Sequence, residues 1–423
     1  MNTRRVVLAV GAGIFIGTYD VAAISVALPQ VVRVWHISTG AVALLGSSTF
    51  IGMILGSLLA GPLADRFGRR MILLLDFIAY GLAALLSALS PNLAWLIGAR
   101  VIVGLGVGAD FAVVFPYLVE YVDSAHRGRV MAWAMWAANF GMLAAYGAGA
   151  IALQYRGGWR IPLALGALLV LPILWFRRSI PESAEWQAHR ATSWRDVKGI
   201  LRSPHYRKTV VLSSVTWLSY QVSDQGLTMF LPLMLVTVFG TTVAGAAWHS
   251  VLVKAVTIPA ALFTVMLIDR WGRRPLQVWG FWGRALGLLL LGALLLWGPS
   301  PLRSHPAWTT AAWILLVIAY AFGAWGPDKT TVITTAERVT TSVRASSQAI
   351  AEASGRVGGI IGIAGYSFLA AVWGPGAGLL FFGAMALVGT IISQATLPET
   401  KSVALQSYRQ VAEDPVIVPP ASV

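Results

Sequence analysis

The chain has 423 residues, of which 57% are hydrophobic and only 11% are charged, and its mean hydropathy is +0.72. A soluble domain carries about 25% charged residues, so this composition excludes a soluble globular protein. The net charge of +14 would indicate nucleic-acid binding in a soluble chain. Here the basic residues follow the loops between apolar stretches, so we expect no nucleic-acid partner.

Apolar stretches of about 20 residues predict membrane-spanning helices along the whole chain. Helices are expected because backbone polar groups in hydrocarbon must be paired within their own segment, and the alternating segments of a barrel do not occur. We therefore predict an all-α integral membrane protein with twelve spans. These spans cover 6–32, 40–64, 71–90, 93–121, 128–153, 160–177, 208–239, 243–268, 275–298, 307–336, 345–372 and 376–396.

The basic residues predict the orientation in the membrane. Most of the 31 Lys and Arg fall in alternate loops and in the two tails. By the positive-inside rule, both termini are then cytoplasmic. We expect a multi-pass protein of a prokaryotic cytoplasmic membrane, with the lipid bilayer as its surroundings.

The chain contains two copies of one plan. The stretch GPLADRFGRR, from Gly61 to Arg70, separates the second and third spans, and DRWGRR separates the eighth and ninth. The aspartates of these two loops, Asp65 and Asp269, are 204 residues apart. The predicted organisation is a first half over 1–178, a cytoplasmic inter-half loop over 179–207, a second half over 208–397 and a cytoplasmic tail over 398–423.

The two repeated loops allow two interpretations. They are either tight turns that carry arginines, or latches that hold one conformation through charge pairs that break in the other. Their occurrence at equivalent places in both halves favours the latch. The residues predicted to form it are Asp65, Arg66, Gly68, Arg69, Arg70, Glu120, Arg127, Asp269, Arg270, Gly272, Arg273, Glu337 and Arg344.

GPLADRFGRR resembles the signature loop of the major facilitator superfamily. GTYDVAAIS in the first span, RVIVGLGVGAD in the fourth, and PES and PET after the sixth and twelfth resemble its sugar-porter-like group, which includes metabolite:proton symporters. The resemblance implies two pseudo-symmetric six-helix halves, alternating access, a small-molecule substrate and a functional monomer. It also implies that the proton gradient drives transport and that no cofactor or metal is needed.

Ionisable residues inside spans cost about 2.5–3.5 kcal/mol each, so they usually face a cavity or a partner. Asp20 and Arg100 fall at similar depths and are expected to meet. The pair is either a fixed salt bridge or a proton switch, in which Asp20 takes up a proton when the pair opens in a desolvated site. The resemblance to proton-driven sugar porters implies that Asp20 and Arg100 form such a proton switch. Asp110 resembles the aspartate of phosphate:proton symporters and is the second candidate for proton coupling. Asp76 and Arg284 are interpreted as structural.

The second half carries the candidate substrate site. Arg356 lies four residues after Glu352, so it either neutralises Glu352 or grips a carboxylate or phosphate. SGRVGG around it resembles a stretch of phosphate and organic-anion carriers, and Lys254 either joins this site or neutralises Asp224. The predicted substrate-binding residues are Arg356, Lys254, Asp224, Gln221, Gln225, Asn139, Trp136, Trp217 and Asp328.

The seventh span departs from true sugar carriers. In SYQVSDQGLTMFLP the glutamines are displaced and a charged aspartate is introduced. A sugar site needs neutral hydrogen-bonding groups over an aromatic platform, whereas this one keeps charges. In the tenth span Gly326-Pro327 predicts a break, and prolines in the first, fourth, seventh and eighth spans predict further kinks.

These patterns favour a proton-coupled symporter that imports a small organic anion such as a carboxylate. A sugar or polyol symporter is the alternative within transport, and an exporter of organic cations or drugs is third. A sensor usually bears a long cytoplasmic extension, while the tail has about 25 residues. No enzyme motif occurs, the chain has no cysteine, and its six histidines are too scattered for a metal site.

Overall fold

The structure is a computed structural model that describes residues 3–121, 127–155, 157–182, 204–298, 304–337 and 344–397. Every regular element in these ranges is an α-helix. The helices are α1 (Thr3–Trp35), α2 (Thr39–Phe67), α3 (Arg69–Ala88), α4 (Leu93–Tyr121), α5 (Arg127–Ala152), α6 (Arg160–Arg177), α7 (Pro204–Thr237), α8 (Val243–Ala255), α9 (Thr257–Trp271), α10 (Arg273–Trp297), α11 (Pro306–Trp325), α12 (Pro327–Glu337), α13 (Arg344–Trp373) and α14 (Pro375–Thr396).

These helices form the twelve predicted membrane spans. α8 and α9 make one span that is interrupted at Val256, and α11 and α12 make another that is interrupted at Gly326. Ten spans in the described part of the chain are long and apolar enough to cross a membrane by length and composition. The other two, α5 and α7, both line the central cavity described below.

Proline chemistry explains both interruptions. Pro327 opens α12 after Gly326, as predicted, because proline suits the first position of a helix but cannot donate to a preceding turn. Pro259 lies four residues after Ala255, so the Ala255 carbonyl lacks its helical donor and α8 ends there. The helices continue through the other predicted kink sites, which are Pro29, Pro116 and Pro232.

The two repeated loops are tight turns at one end of the bundle. Gly68 between α2 and α3 has φ 100°, and Gly272 between α9 and α10 has φ 91°. These values favour glycine because they crowd the Cβ of other residues. We call this end the Gly68 face, and the end that carries the α1–α2 and α7–α8 connections the opposite face.

α4 carries a ladder of glycines, Gly104, Gly106 and Gly108, whose spacing in the sequence predicts a close approach of neighbouring helices. A Cβ on Gly104 would collide with the carbonyl oxygen of Thr49, and one on Gly108 with that of Met53, both on α2. A Cβ on Gly106 would collide with α3. Because small residues let membrane helices approach closely, α4 packs its backbone directly against α2 and α3.

The molecule consists of two halves, α1–α6 and α7–α14, which contact each other mainly along three seams. α2 packs against α13, α5 packs against α8 and α9, and α1 packs against α7. The central cavity lies between these seams. The predicted domain boundaries stay predictions, because residues 183–203 of the inter-half loop and the tail from 398 lie outside the described residues.

Candidate functional site

A cavity lies between the two halves near the middle of the bundle. α1, α2, α4 and α5 line it from the first half, and α7 to α9 with α11 to α13 line it from the second. Most of the predicted substrate-binding residues are brought together here. Those in the lining are Asn139, Trp217, Gln221, Asp224, Gln225, Lys254, Asp328 and Arg356.

Trp136 is the exception among the predicted substrate-binding residues. It does not line the cavity, and its indole nitrogen donates a hydrogen bond of 3.1 Å to the Ile258 carbonyl. Trp136 therefore joins α5 to α9 across the two halves. α5 presents Asn139, and not Trp136, to the cavity, so substrate contact by Trp136 stays a prediction.

Three carboxylates line the cavity, and each forms an ion pair with a buried cation. The pairs are Asp224 with Arg284 at 3.1 Å, Asp328 with Lys329 at 2.7 Å, and Glu352 with Arg356 at 3.1 Å. Within the part of the chain that the structure describes, the negative charges of the cavity wall are thus compensated by protein cations.

Lys254 is the cation left over after this pairing. It is buried and lines the cavity, yet no described carboxylate lies within 4.0 Å of its ammonium group. Its Nζ donates a hydrogen bond of 3.0 Å to Thr228 Oγ1 and lies 4.5 Å from the ring centroid of Tyr320. Asp224 pairs with Arg284, so Lys254 forms no direct ion pair with Asp224, although the negative charges of Asp224 and Asp328 act on its ammonium group. Both interpretations of Lys254, substrate contact and neutralisation of Asp224, stay predictions.

Arg356 both pairs with Glu352 and lines the cavity, while a contact with substrate stays a prediction. It pairs with Glu352 one helical turn away, and Glu352 also accepts a hydrogen bond of 3.2 Å from Gln348. Arg356 nevertheless lines the cavity, and its guanidinium lies 5.1 Å from the ring centroid of Phe111 on α4. Arg356 therefore spans the two halves as a cation whose charge is already offset.

Asp20 and Arg100 meet, as their depths in the sequence predict. Their side chains are 2.8 Å apart, and neither is exposed. Arg100 also donates to Thr49 Oγ1 at 3.2 Å and to the Asp20 carbonyl at 3.0 Å, while Asp20 Oδ1 has no hydrogen-bond partner. The pair lies within the first half and does not line the cavity.

Asp110 has a partner that the sequence did not suggest. Its carboxylate lies 2.5 Å from Arg177, the last residue of α6, and both side chains are buried. Arg177 ends the sixth predicted span, and its guanidinium also lies 4.1 Å from the ring centroid of Phe77. Asp76 is also buried, and neither of its carboxylate oxygens has a hydrogen-bond partner. None of these residues lines the central cavity.

Arg284 is the other functional candidate that sequence reasoning missed. It is fully buried in α10, pairs with Asp224 and donates to Ser223 Oγ at 2.9 Å. The interpretation of Arg284 as a structural residue near the helix end overlooked this contact with the cavity wall. Its only signal in the sequence was that Asp224, an intramembrane carboxylate, required a counter-charge.

The predicted latch is only partly described. Asp269 pairs with Arg273 at 3.3 Å. The side chains of Asp65, Glu120, Arg127, Glu337 and Arg344 lie outside the described residues, so the latch stays a prediction.

The PES stretch contributes an interaction at the repeated loop of the first half. Glu182 accepts hydrogen bonds from the backbone N–H groups of Arg69 at 3.1 Å and Arg70 at 3.2 Å. A carboxylate at this position stabilises the start of α3, because the N-terminus of a helix carries unpaired N–H groups and a partial positive charge. The guanidinium of Arg70 in turn donates to the Arg178 carbonyl at 2.8 Å.

Two helical halves around a charged central cavity define a membrane carrier. Residues 10–327 match the Major Facilitator Superfamily, and the chain belongs to this family. The protein is therefore a secondary transporter of the plasma membrane that carries small molecules, and not an enzyme.

Its relatives include carriers of different substrates. The chain is 26% identical over 384 residues to the niacin transporter NiaP of Acinetobacter baylyi (strain ATCC 33305 / BD413 / ADP1), covering 83% of each protein. It is 26% identical over 356 residues to the galactose-proton symporter of Escherichia coli (strain K12), covering 76% of this chain and 75% of the relative. The proton:xylose symporter XylE bound to 6-bromo-6-deoxy-D-glucose shares the fold, with a TM-score of 0.81, 19% identity, and coverage of 97% and 98%.

Proposed function

We propose that this protein is a proton-coupled symporter that imports a small organic anion, such as a carboxylate. The observation that carries the proposal is Lys254, the cation of the cavity wall without a carboxylate partner among the described residues. A buried charge costs about 2.5–3.5 kcal/mol in a membrane span, so a substrate carboxylate that pairs with Lys254 would recover energy on binding. A neutral substrate would leave the ammonium without a direct ion-pair partner among the described residues.

The rest of the lining favours a carboxylate on a small, flat, apolar body. Phe111, Trp217 and Tyr320 supply aromatic surface, while Gln221 and Asn139 supply hydrogen-bonding groups. Aromatic walls with a few convergent polar groups are typical of small-molecule sites. Niacin, the substrate in the name of one relative, is a pyridine carboxylic acid, and its anion has both features.

Asp20 and Arg100 are the proposed proton-coupling pair, with Asp110 as the second candidate. The Asp20 carboxylate is stabilised as an anion by Arg100 and has one oxygen without a partner. If the pair opens as the halves move, the buried carboxylate loses its counter-charge and takes up a proton. Reclosing of the pair would release that proton, which links its movement to the conformational cycle.

Internal pH in proteoliposomes tests the proposal directly. Nicotinate and nicotinamide share the same ring but differ in charge, so they form a matched pair of probes. We expect external nicotinate to acidify the interior, because the anion would enter with protons, and nicotinamide to produce no change. Acidification by nicotinamide as strongly as by nicotinate would contradict the role of Lys254 as an anion site.

Replacing Lys254 separates charge from shape. We expect Lys254→Met to weaken nicotinate binding by about 10- to 100-fold, because a charge-assisted hydrogen bond contributes about 1.5–3 kcal/mol. Lys254→Arg keeps the positive charge and should retain most of the affinity. Equilibrium binding of radiolabelled nicotinate to detergent-solubilised protein measures both variants. Equal affinity in the Met variant and the wild type would remove Lys254 from the substrate site.

Asp20→Asn tests the coupling step. The variant should lose uphill accumulation of nicotinate under an imposed proton gradient while keeping nicotinate exchange at equilibrium, because exchange needs no net proton movement. Asp110→Asn is the matched comparison, since Asp110 is also buried and paired with an arginine. Unchanged accumulation in Asp20→Asn with loss in Asp110→Asn would assign coupling to Asp110.

A sugar symporter is the second candidate, and one observation favours it. Gln221 and Gln225 both line the cavity, with Gln225 Nε2 donating to Gln221 Oε1 at 3.4 Å. Amides of this kind suit neutral hydroxyl groups, and one relative is named a galactose-proton symporter. Galactose and xylose therefore belong in the same pH experiment. Acidification by these sugars alone would favour the sugar interpretation.

A further inference from the structure

Thr228 on α7 contacts the proposed anion site with its side chain and the first half of the protein with its backbone. Its Oγ1 accepts a hydrogen bond of 3.0 Å from Lys254 Nζ. Its carbonyl oxygen accepts hydrogen bonds from Ser25 on α1 at 2.7 Å and from Tyr146 on α5 at 3.1 Å. One residue thus joins the Lys254 ammonium of the second half to two helices of the first half.

Pro232 explains why this carbonyl is available inside a helix. In an α-helix the carbonyl of residue 228 would accept from the N–H of residue 232, but proline has no N–H. A buried carbonyl without a partner is costly, so hydroxyl donors from outside the helix are favourable. Ser25 and Tyr146, both buried, supply those donors.

The contact between α1 and α7 separates two cavities. On α1, Ser25 lies between Val21, which lines the central cavity, and Val32, which lines a larger cavity at the opposite face. Thr228 occupies the equivalent place on α7, between residues that line the same two cavities. For substrate to pass from one cavity to the other, this contact must open.

We infer that Thr228 is a positioning residue that couples anion binding at Lys254 to closure of the α1–α7 contact. The inference rests on the proposed function. An anion at Lys254 neutralises the ammonium and holds it against the Thr228 hydroxyl, which holds the Thr228 carbonyl toward Ser25. Because linkage is reciprocal, the closed contact binds the anion more tightly than the open one.

The absence of native cysteine allows a direct test with one reporter thiol. Met229 is buried, and its side chain packs against Gly46 of α2 across the halves, so a cysteine in its place reports opening. Val34 is 52% exposed, and V34C controls for access of the reagent. The measurement is the rate at which a soluble maleimide labels each cysteine, with and without saturating nicotinate.

We expect nicotinate to slow labelling of M229C by about fivefold or more, a coupling factor in the usual allosteric range, and to leave V34C unchanged. Thr228→Val keeps the shape but removes the hydroxyl, so labelling of M229C should no longer respond to nicotinate. Thr228→Ser restores the hydroxyl and should restore the response. A full response in the Val variant, or none in the Ser variant, would overturn the inference.

A double-mutant cycle measured without ligand distinguishes failure of this inference from failure of the proposed function. Lys254→Met should change the labelling rate of M229C when Thr228 is present and have little further effect in Thr228→Val. Additive effects of the two substitutions would overturn the inference whatever the substrate is. Non-additive effects in a protein that binds no nicotinate would support the coupling between Lys254 and the α1–α7 contact through Thr228. They would contradict only the proposal that nicotinate is a substrate.

Discussion

The two halves carry equivalent aspartates with different surroundings. Asp20 and Asp224 are 204 residues apart, the spacing of the repeated loops, and each forms an ion pair with a buried arginine. The Asp20–Arg100 pair is sealed inside the first half, with neither side chain exposed. The Asp224 side chain is 11% exposed and lines the central cavity, with Arg284 behind it.

The arginines come from non-equivalent helices. Arg100 lies on α4, whereas Arg284 lies on α10, the counterpart of α3 in the other half. At the position of α3 that matches Arg284 stands Tyr80, whose hydroxyl donates to the Ile16 carbonyl at 2.9 Å. The two halves therefore carry the aspartate at equivalent positions, but the arginine that pairs with it comes from non-equivalent helices. We expect the sealed pair to act on protons and the cavity pair to shape the substrate site.

Removal of Arg100 should have the largest effect on stability. Arg100→Met leaves Asp20 as an unpaired charge in a site without exposure, which costs about 3–5 kcal/mol of unfolding free energy. Adding Asp20→Asn to the same chain should recover much of this loss, because no charge remains to be desolvated. Thermal unfolding in detergent measures both. A loss below about 1 kcal/mol in Arg100→Met would show that the pair is not sealed.

Removal of Arg284 should lower the unfolding free energy by less than removal of Arg100. In Arg284→Met the exposed edge of Asp224 can be hydrated from the cavity, so we expect a loss of about 1–3 kcal/mol, the cost of a buried polar group that loses its partner. The same unfolding assay applies. A loss as large as that of Arg100→Met would remove the distinction between the two pairs.

Removal of the hydroxyl groups that accept hydrogen bonds from the two arginines should have the smallest effects on stability, and the two effects should be similar in size. Arg100 Nε donates to Thr49 Oγ1 at 3.2 Å, and Arg284 Nε donates to Ser223 Oγ at 2.9 Å. Each hydrogen bond is expected to contribute about 0.5–1.5 kcal/mol. Thr49→Val and Ser223→Ala should therefore lower the unfolding free energy by similar amounts, and the guanidinium–carboxylate pairs should remain. A difference of several kcal/mol between them would show that one hydroxyl holds its pair together.

The sequence by itself determined the class of fold. Apolar stretches of the right length predicted the twelve spans, because a membrane requires uninterrupted backbone pairing over its thickness. The glycine ladder around Gly106 predicted a close helix contact, and the positions of Asp20 and Arg100 along their spans predicted their meeting. All these predictions depend on the depth of a residue in the membrane or on the chemistry of neighbouring residues. Both can be read directly from positions along the chain.

Only the tertiary structure decided which charges are compensated. Depth does not give the rotation of a helix about its axis, which is set by packing against its neighbours. That rotation turns Trp136 away from the cavity, brings Arg177 to Asp110 and Arg284 to Asp224, and leaves Lys254 without a carboxylate among the described residues. The proposed anion site therefore depends on how the helices are turned toward one another, which no single span encodes.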